Sequence, residues 1–208
     1  MRTGVRDDPL PRSGRRRLSP ESRRQELLDA AIRVLREHRP GSCRVEDVTA
    51  EAGTAKGNFY RYFPTWDDLL VALRDRVLDS YRAELADRYP DLSDVEWWDV
   101  VDTEIDRFIT FQLNLGGLHD AVFHSPAVEQ ATEQGQSAAS ILAGLLVAGV
   151  ADGEFFPVDI ETTATLLWDL LHAAADAVAR GMERGAVLDT TRFIFHRTLA
   201  PGQTHGFA

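Results

Sequence analysis

Apolar residues recur every three or four positions along most of this chain, and no stretch alternates over any length as a strand would. The pattern predicts an all-α protein. In "LSPESRRQELLDAAIRVLREH" Ser19 can cap a helix, with Pro20 at the first helical position, where its missing N–H costs nothing. Leu27, Ala31, Val34 and Leu35 then follow at helical spacing, and Arg39-Pro40-Gly41 stops the run. "RVEDVTAEA" predicts a short second helix with Val45, Val48 and Ala52 on one face, and Gly53-Thr54 makes a turn. "AKGNFYRY" predicts a third, with Phe59 and Phe63 inward, Lys56, Asn58, Tyr60 and Arg61 outward, and Pro64 at its end. Two short helices joined by a Gly-containing turn, behind a longer supporting helix, make a helix-turn-helix.

The remainder also reads as helices. "WDDLLVALRDRVLDSYRAELADRY" is amphipathic and runs on from the first unit until Pro90-Asp91. "SDVEWWDVVDTEIDRFITFQLNL" starts at a serine cap, carries Val101, Ile105, Phe108, Ile109 and Leu113 at helical spacing, and ends at Gly116-Gly117. "GLHDAVFHS" reads as a short connector. Ser125-Pro126 opens a long helix through about Val150, closed by Asp152-Gly153. "DIETTATLLWDLLHAAADAVARGM" and "LDTTRFIFHRTL" follow. On the first of these two, Thr165, Asp169, His172, Asp176 and Arg180 form one narrow polar stripe, and apolar residues cover the rest. So apolar a helix needs partners on two sides, its own core and a symmetric partner helix that alanines let approach closely. The stripe reads as solvated or facing the partner. His119 and His124 lie five apart across a helix break, so no metal site is expected from either set.

Composition narrows the class. A chain of 208 residues, 44% hydrophobic, can bury a good core. A single cysteine, Cys43, excludes an internal disulfide and suits a reducing compartment. No apolar run approaches the roughly 20 residues of a membrane span, and the charged N-terminus is no secretory signal. A soluble cytoplasmic protein is expected. No phosphate-cradling Gly-rich loop, paired-cysteine metal site or nucleophile elbow occurs, so neither enzyme activity nor a cofactor is expected. The net charge of −10 is unevenly spread: residues 1–66 hold fourteen Lys/Arg against nine Asp/Glu, a balance of +5, which leaves −15 for the rest. A basic N-terminal third on an acidic body points to nucleic acid. Lys56, the only lysine among 23 basic residues, sits in the third helix.

Residues 23–70, "RRQELLDAAIRVLREHRPGSCRVEDVTAEAGTAKGNFYRYFPTWDDLL", resemble the DNA-binding domain of the tetracycline-repressor (TetR) family. The matching features are the alanine-rich first helix, "EDV", "EAG", and "KGNFYRYF" followed by "DDLL". The resemblance implies an all-helical homodimer whose small N-terminal domain binds a palindromic double-stranded operator. It further implies a larger C-terminal domain that binds a small effector and so releases DNA, with the last two long helices as the dimer interface. The boundaries expected are a flexible basic arm over 1–18, carrying Arg12, Arg15, Arg16 and Arg17, the DNA-binding domain over 19–66, and the effector and dimerisation domain over 67–208. Arg39 replaces a usual Gly, Arg44 a Thr and Ala55 a Ser, which leaves Thr54 as the capping residue; Trp66 replaces a phosphate-contacting Lys.

Candidate site residues follow. The third helix is expected to enter the major groove with its first turn. Gly57 lets backbone approach DNA, Asn58 can bond an adenine edge, and Lys56 or Arg61 can bond guanine or phosphate. Tyr60, Tyr62 and Thr54 can give hydroxyls to phosphates, and Arg44 can replace a lost backbone contact. Trp97, Trp98, Phe108, Phe111, Phe123 and Trp168 are the candidate lining of an apolar effector pocket. The function expected is a ligand-responsive repressor. Arg44 and Trp66 keep open an alternative, a helical interaction or small-molecule-binding protein with a weakened DNA-binding domain.

Overall fold

The computed structural model describes residues 19–37, 41–93, 95–126, 128 and 139–201. Among them every regular element is a helix. Helix α1 (Pro20–Glu37) starts as its sequence predicts, with Ser19 Oγ accepting the Ser22 N–H at 3.1 Å. Its expected stop at Arg39 and Pro40 lies outside the described residues, as does the basic arm with Arg12, Arg15, Arg16 and Arg17. Helices α2 (Val45–Glu51) and α3 (Lys56–Tyr62) flank the Gly53-Thr54 turn. Phe59 and Phe63 are fully buried against Leu27, Leu28, Val48 and Leu69. Helix α4 (Trp66–Arg88) opens with a capping box: Thr65 Oγ1 accepts the Asp68 N–H at 3.1 Å, and Asp68 Oδ2 accepts the Thr65 N–H at 2.9 Å. It spans both halves of the molecule. Leu69, Leu73 and Val77 belong to the first core, Leu78 and Tyr81 to the second.

Helix α5 (Trp97–Asn114) differs from expectation at its start. Ser93 does not cap it; its N–H and hydroxyl both donate to Asp91 Oδ1 at 2.8 Å in a tight turn, and the helix begins after Glu96. The expected connector after Gly116 is a further helix, α6 (Gly117–Phe123). Its Leu118 and Val122 are fully buried, which its seven residues and double-glycine start concealed in the sequence. Helix α7 (Ser140–Ala151) is the far end of the long helix expected from Ser125-Pro126; Ala127 and residues 129–138 lie outside the described set. Gly149 packs under Phe155 so closely that an added Cβ would stand 2.2 Å from the ring. The chain closes with α8 (Ile160–Ala179), capped by Asp159, and α9 (Arg184–Leu199), capped by Glu183. Leu146, Leu167, Leu171, Phe195 and Leu199 from these three helices meet Ile105, Phe108 and Ile109 of α5 in the second core.

Candidate DNA-reading face and effector cavity

Helix α3 presents its outward residues on a packed base. Gly57 is exposed, with open space where a Cβ would stand. Arg61 and Arg44 are exposed too, and Tyr60 stands with its ring edge-on to Phe59 at 5.4 Å. Lys56 is not idle: its Nζ bonds Glu46 Oε1 of α2, and that carboxylate holds the lysine pKa above its usual value. The Tyr60 ring lies 6.0 Å from the same ammonium. Thr54, Asn58 and Tyr62 are half-buried. Thr54 does not cap α3, contrary to the sequence reading. Its Oγ1 accepts the Asn58 side-chain amide at 2.9 Å, while Ala55 holds the cap position with no side-chain acceptor. Half-buried Trp66 packs against the first core rather than standing out as a lysine would.

In the second half of the molecule, three of the six candidate pocket residues line one apolar cavity. Trp97, Phe108 and Trp168 meet there with Tyr81, Phe155 and Phe195. Trp98 instead packs on Phe155 and His196, Phe111 on Tyr81, and Phe123 on the rings of His119 and His172. The cavity holds about 40 Å³, room for a few waters rather than for the roughly 300–1,000 Å³ of a drug-sized site, so a ligand must part its walls. Among the described residues that line it, Glu104 is the one charged group. Buried Glu104 accepts Tyr81 Oη at 3.3 Å, Tyr89 Oη at 3.0 Å and both Nε and Nη2 of Arg88 at 3.0 and 2.8 Å. Burial and this carboxylate push the Tyr89 phenol up to about 12. Glu104 was missed among the candidates, although the sequence carries a signal for it: an acid inside the apolar stripe of Val101, Ile105 and Phe108.

His172 and Asp176 correct a second expectation. They do not stand on a solvated stripe with Thr165, Asp169 and Arg180, which are exposed. His172 turns inward between Phe108, Phe123 and Trp168, and burial pushes its pKa down to about 3. Asp176 faces α6, with Oδ1 3.4 Å from His124 Nε2.

Helix α6 joins the two halves. Leu115, Leu118 and Val122 complete the first core, while Phe123 and His119 meet His172 of α8. Gly116 fixes the joint with φ +57°, a conformation other residues rarely adopt, and an added Cβ would sit 3.2 Å from the Arg36 carbonyl at the end of α1.

A trihelical reading unit joined by a long shared helix to a helical body with an apolar interior defines a helix-turn-helix regulator. Residues 27–73 match the family model described as bacterial regulatory proteins, tetR family. Over 173 residues the chain is 29% identical to the HTH-type transcriptional repressor LfrR of Mycolicibacterium smegmatis, covering 81% of this chain and 86% of that one. Its fold is similar to the multidrug binding protein EbrR complexed with imidazole, with TM-score 0.67, 23% identity and coverage of 94% and 100% of the two chains. It is also similar to RolR in complex with resorcinol, with TM-score 0.64, 20% identity and coverage of 88% and 97%. Residues 27–73 are thus similar to the DNA-binding domain of tetR-family regulatory proteins, and most of the chain is similar to a transcriptional repressor. No helix among the described residues is long and apolar enough to cross a membrane.

Proposed function

We propose that this protein is a cytoplasmic, effector-released repressor that binds a palindromic operator as a homodimer. Residues 19–66 serve as the DNA-binding unit and 67–208 as the effector and dimerisation unit. Helix α3 enters the major groove. Arg61, and Lys56 once it lets go of Glu46, bond base edges or phosphates beside Asn58; Arg44, Thr54, Tyr60 and Tyr62 position the helix on the backbone. The dimer forms through the outer faces of α8 and α9, where Leu166 and Phe193 are each 64% exposed in the single chain. Ala174 belongs to the inner face, so Leu166 and Ala173 are the positions at which an arginine should split the dimer.

The observation that carries the reading is α6, whose two sides belong to two different cores. An apolar effector that parts Trp97, Phe108 and Trp168 displaces α5 and α8, hence α6 and the reading unit seated on it. Two reading helices must stand roughly 34–36 Å apart to engage successive turns of DNA, so a modest displacement suffices. LfrR is named a repressor, and EbrR and RolR carry small cyclic ligands, which supports an effector of that kind. Operator affinity is measured by fluorescence anisotropy on the DNA upstream of the gene, and effector binding by tryptophan quenching with an aromatic panel. Arg61→Ala should weaken operator binding by about 1–3 kcal/mol. A quenching compound should lose affinity when operator is present, because coupling is reciprocal. A compound that binds equally with and without operator would sink the release mechanism.

A further inference from the structure

We propose that His119, His124 and Asp176 form a binding site for one first-row divalent transition metal ion of the zinc class per protomer, set between α6 and α8 with Asp120 at its rim. Asp176 Oδ1 lies 3.4 Å from His124 Nε2 and 3.9 Å from His119 Nδ1. His119 Nδ1 is in turn 3.6 Å from Asp120 Oδ1. The donor atoms of His119, Asp120 and His124 all fall within 4.8 Å of one another. Two ligands of a tetrahedral zinc ion, each about 2.0–2.1 Å from the metal, stand about 3.3 Å apart. The two separations from Asp176 are at or just above that spacing and the histidine donors lie within 4.8 Å of each other, so side-chain rotations are what must close the set. Imidazole with carboxylate suits zinc and its first-row neighbours, whereas magnesium and calcium prefer oxygen alone.

Plain histidine–aspartate ion pairing accounts for the short distances but not for the buried nitrogens. His119 is 9% exposed, and its Nε2 has no hydrogen-bond partner among the described residues. The His172 ring stacks beside it at 6.2 Å between centres, and its buried Nε2 has none either. A histidine that ligates through Nδ1 carries its proton on Nε2 and directs it to a second polar group. His172 is the neighbouring ring with a free nitrogen, and one water between the two would serve both. On the opposite side Arg180 Nη1 approaches Asp176 Oδ2 at 3.7 Å, which leaves Oδ1 for the ion. With neutral imidazoles the two carboxylates also supply the charge a divalent cation requires. The sequence hid this set because its third ligand lies on a different helix.

Metal binding is measured on tag-free protein without DNA or effector, so its outcome is separate from the release mechanism. Zinc is titrated in competition with a chromophoric chelator. One ion per protomer is expected, retained in excess magnesium. His124→Ala and Asp176→Asn should each weaken it at least tenfold, while His196→Ala, which alters a histidine elsewhere, should not. Cobalt in place of zinc should give an intense tetrahedral absorption band in the parent protein, a readout that needs no variant to fold. A parent with no competing zinc and no such band, or ligand variants that bind as tightly as the parent, overturns the assignment.

Discussion

The two cores of this protein stand in opposite relation to their functional residues. In the first, Phe59 and Phe63 hold α3 in place, and of the residues offered to DNA only half-buried Tyr62 packs against the core. In the second, Phe108 and Trp168 are at once core and cavity wall. Substitutions on the reading face are therefore free to change recognition with little effect on folding, because surface changes seldom exceed about 0.5 kcal/mol. Any change to the cavity lining moves stability and specificity together.

The sharpest way to break that contrast is to truncate one aromatic from each core. Phe59→Ala and Phe108→Ala remove side chains that are 0% and 1% exposed. Each should cost about 3–5 kcal/mol in urea denaturation. Because α4 and α6 contribute to both cores, both losses should appear in one shared transition. A Phe108→Ala cost well below 2 kcal/mol would show a cavity wall that the core does not need, and the contrast would fail.

Legibility in the sequence followed the same division. The reading unit is built from neighbours in the chain: a serine cap, a proline at the helix start, apolar spacing and a turn, each a local signal that Ser19, Pro20, Phe59 and Phe63 obey in the structure. Its fine hydrogen bonding was less legible, since Thr54 accepts the Asn58 amide four residues on instead of capping α3, and Lys56 meets Glu46 on the preceding helix. In the body, helicity was readable but partnership was not. Trp97, Phe108 and Trp168 converge from distant segments, while Trp98, Phe111 and Phe123, equally aromatic, pack elsewhere. Helix α6 escaped because glycine and histidine give it a loop's composition; the contacts of Leu118 and Val122 with the first core make it a helix.

An intermediate effect is expected at the joint itself. Gly116→Ala forces a side chain into a backbone conformation that costs about 1–3 kcal/mol and drives a Cβ toward the Arg36 carbonyl at 3.2 Å. Chemical denaturation should show that loss. Operator affinity should fall further than it does for an equally destabilising change in the second core, because the strain falls between α1 and α6. Equal operator affinities at matched stability would mean that the joint does not carry the coupling.

The smallest effect compares two helix caps. Thr65 caps α4 beside the reading helix, and Asp159 caps α8 in the body, its Oδ1 accepting the Thr162 N–H at 2.8 Å. Removing either acceptor leaves first-turn N–H groups to water, at about 0.5–2 kcal/mol. Thr65→Ala and Asp159→Ala should thus lower stability by similar amounts. Their functional consequences should part. The first turn of α4 carries Trp66 against the first core and Leu69 and Leu70 within it, directly after α3 ends, so fraying there loosens the base of the reading helix. The first turn of α8 holds exposed Glu161 and Thr162 far along the chain from α3. Operator binding followed by anisotropy should weaken for Thr65→Ala and stay within error of the parent for Asp159→Ala. If both caps reduce operator affinity alike, the body's stability governs DNA binding as a whole, and the division between an outward-reading core and an inward-binding one does not describe how this regulator works.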